Sequence, residues 1–248
     1  MADPRVMLVT GGGSGIGRAC AERLAREGCS VMVADRDADG GRDTVSAIAA
    51  VGGTARFTLL DVADEACVVA SVAATTDAFG RIDGAINSAG VPQTAQPVHR
   101  LDAEDWLRVI GINLNGMFYC LKHQIAAMLE TGGGAIVAIS SAAALKGLLN
   151  SADYCASKAG ILGLVRGAAV DYAEQGIRVN ALLPGGSDTP LAHRSSASNP
   201  ALAGTLRVPM MRMSSPAEIA AAAVWLVSPD SSYVTGASLS VDGGMTIA

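Results

Sequence analysis

Short apolar runs alternate with stretches of helical periodicity along most of the chain. Val6-Met7-Leu8-Val9-Thr10 is an unbroken run of strand formers, and from Arg18 to Glu27 apolar residues return at helical spacing, with Gly28 where a helix would end. The alternation continues with a strand at 30–34, a helix at about 38–51, a strand at 55–60, a helix at 64–79 and a strand at 82–86. A long helical stretch at 102–129, a strand at 135–139, a helix carrying Tyr154 and reaching about Glu174, and a strand at 177–183 follow. Positions 216–227 predict the last helix and 237–241 the last strand. Between Asp188 and Ser215 the periodicity lapses, and Pro, Ser, His, Arg and Met collect there, including Met210, Met211 and Met213. Strands that are apolar throughout, each followed by a helix, predict an α/β, doubly wound fold. We expect seven parallel strands flanked by helices on both faces in one domain spanning 1–248, with a substrate lid at about 188–215.

The cluster Gly11-Gly12-Gly13-Ser14-Gly15-Ile16-Gly17 stands between the first strand and the first helix. Glycines there let the backbone turn tightly and approach a pyrophosphate, while the free N–H groups at the helix start favour its charge. The second strand ends in Asp35, 18 residues past Gly17. A carboxylate at that place accepts hydrogen bonds from both hydroxyls of an adenosine ribose and repels a 2′-phosphate, which argues for NAD over NADP. Arg36, next door, can hold such a phosphate and pulls the other way. The polar strand ends Asp61-Val62 and Asn87-Ser88-Ala89-Gly90 should line the same crevice, although Asp61 can equally be a helix cap.

Composition narrows the function classes. Half of the 248 residues are apolar and 17% are charged, which excludes disordered and fibrous classes. A net charge of −5, with no run of Lys or Arg, argues against nucleic acid or an acidic membrane as partner. No segment approaches 18 uninterrupted apolar residues, and the first residues lead straight into a strand rather than a signal peptide. Five scattered cysteines without C-x-x-C spacing fit reduced thiols, so a cytoplasmic location is expected. His99, His123 and His193 are too far apart in sequence to suggest a metal site and are expected in loops.

The candidate chemistry lies at Tyr154-Cys155-Ala156-Ser157-Lys158, in a chain with only three lysines. Residues four apart in a helix share a face about 6 Å apart along the axis. An ammonium beside a phenol favours the phenolate, so Tyr154 with Lys158 can serve as a proton-transfer pair. Ser141 ends the strand 13 residues earlier, at the carboxyl edge of the sheet. Asn113, polar among Ile110, Ile112, Leu114 and Phe118, is either a structural amide or part of a polar relay into the site.

Thr10-Gly11-x-x-x-Gly15-Ile16-Gly17, Asp61-Val62, Asn87-x-Ala89-Gly90, Asn113, Ser141, Tyr154-x-x-x-Lys158 and Pro184-Gly185-x-x-x-Thr189, in that order and spacing, resemble the short-chain dehydrogenase/reductase family. Tyr233-Val234-Thr235-Gly236 and Val241-Asp242-Gly243-Gly244 look like that family's C-terminal segment, so the likeness covers essentially the whole chain. The resemblance implies a Rossmann fold. It implies Tyr154 as general acid/base, Lys158 lowering its pKa and holding the nicotinamide ribose, Ser141 bonding the substrate oxygen and Asn113 anchoring a relay water. Pro184, Gly185, Ser187 and Thr189 would border the nicotinamide. Three positions depart from the pattern: Ser88 where a second Asn is common, Ala144 where Gly is frequent, and Ser187 where Val or Ile is frequent.

The favoured activity is hydride transfer between NAD and a small or cyclic secondary alcohol or the matching ketone. The segment 142–149 and the methionine-bearing lid offer a mainly apolar pocket, with Gln93, Leu148, Asn150 and Gly186 as substrate contacts beside Ser141 and Tyr154. One alternative is an NADPH-dependent 3-oxoacyl-carrier-protein reductase, with Arg100, Arg108 and Arg166 as a basic patch for an acidic carrier. Another, of a different class, is a non-catalytic NAD-binding sensor. The apolar faces of the helices at 102–129 and 152–174 exceed what one sheet needs, and the family's corresponding helices make dimer and tetramer contacts, so a homotetramer is expected.

Overall fold

A computed structural model describes residues 3–202 and 207–248. Its strands are β1 (Val6–Thr10), β2 (Ser30–Asp35), β3 (Thr54–Leu59), β4 (Gly84–Asn87), β5 (Gly134–Ile139), β6 (Ile177–Pro184) and β7 (Ser238–Val241). All pair in parallel in one sheet of order β3-β2-β1-β4-β5-β6-β7. The helices are α1 (Gly15–Arg26), α2 (Ala38–Ala50), α3 (Glu65–Phe79), α4 (Ala103–Ile110), α5 (Gly116–Glu130), α6 (Ala152–Tyr172), α7 (Pro190–Ser198) and α8 (Pro216–Val227). Strand side chains alternate between two cores. Met7, Val9, Val31 and Val33 pack with α1, α2 and α8, whereas Leu8, Met32 and Ala34 pack with α3, α5 and α6. Because both faces are covered, β1 is buried at every position, which is why it reads as an unbroken apolar run.

Two stretches differ from the pattern read in sequence. The expected helix at 102–129 is three pieces: α4, a π-helical turn at Gly111–Asn115 and α5, the turn marked by an N–H of Gly116 donating to the Gly111 carbonyl. Apolar spacing runs through all three, so periodicity alone cannot reveal the extra residue in the turn. The expected aperiodic lid contains α7, whose first turn is capped by Thr189 Oγ1 accepting from the Ala192 N–H at 3.1 Å and carries Pro190 at its start. Positions 203–206 of that lid lie outside the described residues. The two ends of this segment meet at Ser187 and Ser214, whose hydroxyls are 2.7 Å apart and whose chains pair as an isolated bridge.

The sheet order reverses between β1 and β4, so the connections leaving their carboxyl ends diverge and open a crevice of about 580 Å³. A larger cavity of about 750 Å³ opens at the opposite edge, where Arg5 and Arg178 donate to the last carbonyls of α8, at Leu226 and Val227, and to that of Ser228 just after it. It holds none of the candidate residues. Among the described residues, no helix is long and apolar enough to cross a membrane. His123 lies on α5 against Glu65 and His193 on α7 against Asp188, rather than in loops, and among the described residues no group of three His, Cys, Asp or Glu can hold a metal ion. All five thiols are free, and burial pushes Cys20 and Cys120 up to about 12.

Candidate active site

One end of the crevice is built by the glycine loop. Gly11 and Gly15 adopt left-handed backbone, at φ +67° and +53°. A methyl group on Gly17 would stand 2.1 Å from the Gly11 carbonyl oxygen, so the start of α1 lies directly on the loop only because that side chain is missing. Ser14 makes no side-chain cap there and no acid stands in the first turn of α1, which leaves its N–H groups open to an anion. At the end of β2, Asp35 is held from both sides: Oδ2 accepts from the Gly13 N–H at 2.8 Å and Oδ1 from the Asp37 N–H at 2.9 Å. Asp35, Arg36 and Asp37 all face the crevice, two carboxylates to one guanidinium. Asp61 and Val62 line it too, and the Asp61 carboxylate caps its own turn by accepting from the Ala63 N–H. This bare cradle of N–H groups beside a ribose-sized acidic corner suits a dinucleotide.

The other end holds the candidate proton-transfer residues. Ser141 follows β5, while Tyr154 and Lys158 lie one turn apart on α6. The Lys158 side chain is buried; its Nζ donates to the Ile139 carbonyl at 3.0 Å and lies 5.6 Å from the centre of the Tyr154 ring. No carboxylate pairs with it, so burial alone lowers its pKa to about 8. Burial also raises the Tyr154 phenol, and a hydrogen bond with the Ser141 hydroxyl draws it part of the way back. This corrects the expectation of a phenol depressed by Lys158. The ammonium stands over the ring face and gives one of its three donors to a carbonyl, and in the protein alone desolvation wins.

Asn113 sits in the π-turn, fully buried. Its Oδ1 accepts from the Val91 N–H at 2.8 Å, and its Nδ2 donates to the Val91 carbonyl at 3.0 Å and to Ser157 Oγ at 3.3 Å. Both amide protons are therefore used, and a water can reach only the second lone pair of Oδ1 or the main chain. Gly90 leaves that approach open, since a methyl on it would stand 3.1 Å from Asn113 Oδ1 and 3.7 Å from Lys158 Nζ.

Gly11, Ser14, Gly15, Ile16, Ala89, Gly90, Ser141, Tyr154, Lys158, Pro184, Gly185, Ser187 and Thr189 all line the crevice. Several expected contacts do not. The Asn87 amide is turned into the core, where it exchanges two 2.8 Å hydrogen bonds with Gln124. Gln93 is buried and bonded to Ser195, Asn150 adopts left-handed backbone (φ +53°) as the chain turns toward α6, and Leu148 lies in the same turn away from the crevice. Gly186 faces away as well, its carbonyl accepting from the Ser214 N–H. In their place Val91, Pro92, Leu191, Ala192 and Arg194 form the wall, together with Arg108 and Ile112. Three of these belong to α7, which a Thr-Pro helix start at 189–190 could have signalled.

Comparison with known proteins gives the site its context. Residues 11–246 match the model of the family described as enoyl-(acyl carrier protein) reductase. A 2,5-dichloro-2,5-cyclohexadiene-1,4-diol dehydrogenase of Sphingobium indicum is 44% identical over 98% of this chain and 97% of its own. A cis-4-hydroxycyclohexanecarboxylate dehydrogenase of Sinomonas cyclohexanicum is 43% identical over 98% and 96%. The crystal structure of an actinorhodin polyketide ketoreductase variant with NADPH superposes with a TM-score of 0.92 at 35% identity, covering both chains fully.

Proposed function

The chain belongs to the short-chain dehydrogenase/reductase family, and on that premise we propose that it moves hydride between NAD and a cyclic secondary alcohol or the matching ketone. It is an oxidoreductase acting on CH–OH groups with a nicotinamide cofactor. The observation that carries the finer reading is the meeting of Tyr154, Ser141 and Lys158 in a crevice whose far end is the glycine loop tied to Asp35. The nicotinamide, when bound, supplies the hydride acceptor in oxidation and the donor in reduction. In oxidation Tyr154 takes the hydroxyl proton, and in reduction it returns one to the oxygen. Ser141 donates a second hydrogen bond to that oxygen as charge develops on it. Lys158 is charged at neutral pH with a pKa of about 8, and its ammonium stabilises the phenolate that the transfer creates. Its remaining donors, with Asn113 Oδ1 across Gly90, offer a place for a ribose hydroxyl and a relay water.

Asp35 and Asp37 together support NAD over NADP, since a 2′-phosphate would stand against two carboxylates with one guanidinium in compensation. The substrates for which these relatives are named support a cyclic alcohol. We also place the protein in the cytoplasm, in keeping with its five free thiols, and propose a homotetramer, supported by apolar Leu107, Phe118 and Val170 exposed on α4, α5 and α6. Light scattering separates the tetramer from a monomer.

The test follows nicotinamide absorbance with NAD or NADP and a panel of cyclic and linear secondary alcohols. We expect turnover with NAD and cyclic alcohols, and a loss of roughly 10²–10⁴-fold in Tyr154→Phe with NADH binding retained. Persistence of turnover in the variant removes Tyr154 from the mechanism. One feature favours a second reading: Arg36, Arg108 and Arg194 all line the crevice, where a phosphorylated cofactor or an acidic carrier could meet a guanidinium. NADPH-dependent reduction of a 3-oxoacyl thioester exceeding alcohol oxidation would favour it, and tight NADH binding without turnover would favour the sensor.

A further inference from the structure

Three separate elements, the π-turn, α7 and α6, converge on the loop that follows β4. Val91 exchanges two hydrogen bonds with Asn113, as described above. Two residues on, Gln93 exchanges two with Ser195 of α7: its Nε2 donates to the Ser195 carbonyl at 3.2 Å, and Ser195 Oγ donates to its Oε1 at 3.0 Å. Thr94 then donates through its N–H and its hydroxyl to Asp153 Oδ2, at 2.9 and 2.7 Å, while Asp153 Oδ1 accepts from the Tyr154 N–H at 2.7 Å. Gln93 and Asp153 are both buried, 5% and 1% exposed, so these bonds are shielded from water. The loop is thus fixed to the helix of Tyr154 immediately beside the point where it grips the lid.

Ser195 lies one helical turn after Leu191, on the same face of α7. Leu191, Ala192 and Arg194 line the crevice, so the register of Ser195 on Gln93 sets how far these three reach over it. A second amide, Asn199 Nδ2, donates to the Leu149 carbonyl at 2.8 Å and holds the far end of α7. Together the two amides grip the C-terminal half of a helix that carries no buried residue of its own.

We infer that Gln93 is a positioning residue of the reaction, which acts through Ser195 to hold α7 closed over the crevice and aligned with Tyr154, and does not touch the substrate. The inference rests on the crevice being the site of alcohol oxidation. Losing the pair removes one clasp on α7 and leaves, among the described residues, those at Thr189, His193 and Asn199, so the closed lid becomes one state among several. Productive binding of the alcohol is then weakened by the fraction of time the lid is open, whereas chemistry within a closed complex proceeds as before.

The experiment combines Gln93→Leu, Ser195→Ala and the double variant. It measures kcat and KM for a cyclic alcohol with NAD, and the rate of tryptic cleavage after Arg194 in the protein without substrate. Gln93→Leu should raise KM about tenfold while kcat stays within about threefold, and should speed cleavage after Arg194 by a similar factor. The double variant should resemble Gln93→Leu, because the two side chains act as one unit. An unchanged KM and cleavage rate in Gln93→Leu, or effects of the two single variants that multiply in the double one, would overturn the pair. Should Gln93→Leu fail to fold, Ser195→Ala, whose side chain is half-buried, carries the same test with the sign unchanged. Cleavage rates are read without turnover, so a protein that oxidises no alcohol refutes the activity and leaves the clasp to stand or fall on proteolysis.

Discussion

On the side of the crevice formed by β1, β2 and the start of α1, shape is carried by the main chain: left-handed glycines, strand register and the contact of Gly17 with the Gly11 carbonyl. On the side formed by the lid, shape is carried by side-chain pairs between residues far apart in sequence, Ser187 with Ser214, Gln93 with Ser195, and Asn199 with the Leu149 carbonyl. The first kind of wall is rigid because no rotamer can relax it. The second opens by breaking bonds worth about 1 kcal/mol each. On the proposed function, a crevice of this build would grip one ligand by fixed geometry and admit another by movement.

The sharpest way to break the fixed wall is Gly17→Ala. Its methyl would meet a carbonyl oxygen at 2.1 Å, and no flexible side chain is there to yield. We expect a loss of about 3 kcal/mol or more in urea unfolding, with NADH fluorescence titration showing weakened binding.

Lys158, where the two walls meet, tests a different point: that the site gives up stability for chemistry. Its folded pKa of about 8 lies below the ordinary 10.5, so the folded state favours the neutral amine. Below pH 8 the cost of burying the ammonium is fully present. Between pH 8 and 10.5 the unfolded chain holds more protons, so stability rises with pH and the cost disappears. Lys158→Met should therefore stabilise the ligand-free protein at pH 7, by on the order of 3 kcal/mol at most, and lose the advantage above pH 10.5. Denaturation midpoints at both pH values check this, and catalysis should collapse in the same variant. Equal stability of the two proteins at pH 7 would show that the ammonium is better solvated than its burial indicates.

The smallest effect belongs to the lid base. Ser187→Ala removes one hydroxyl pair but leaves the main-chain bonds of Gly186 and Asp188 to residue 214 in place. A loss of about 1 kcal/mol by thermal unfolding is expected, well below that of Gly17→Ala. A larger one would mean that the lid is as rigid as the opposite wall.

The contrast also explains what could be read in the sequence. Gly11, Gly15 and Gly17 announce the fixed wall because its geometry is local and only one residue type satisfies it. Tyr154 and Lys158 are legible for the same reason, four positions apart on one helix. Gln93, Asn87 and Asn113 are amides whose partners lie at Ser195, Gln124 and Val91, and nothing local distinguishes an amide that meets a ligand from one that meets a carbonyl. The π-turn escaped because apolar spacing continues across it. The helix in the lid escaped because α7 buries none of its residues, leaving only the capping pair Thr189-Pro190 as a sign.

The bond from the Gly13 N–H to Asp35 joins two decisions that protein engineers treat as separate. The carboxylate that would discriminate between coenzymes is also a strut of the glycine loop. Exchanging Asp35 for a small neutral residue to admit NADP would release the loop at the same stroke, so redesign of coenzyme preference has to restore an acceptor for Gly13 as well as remove a charge.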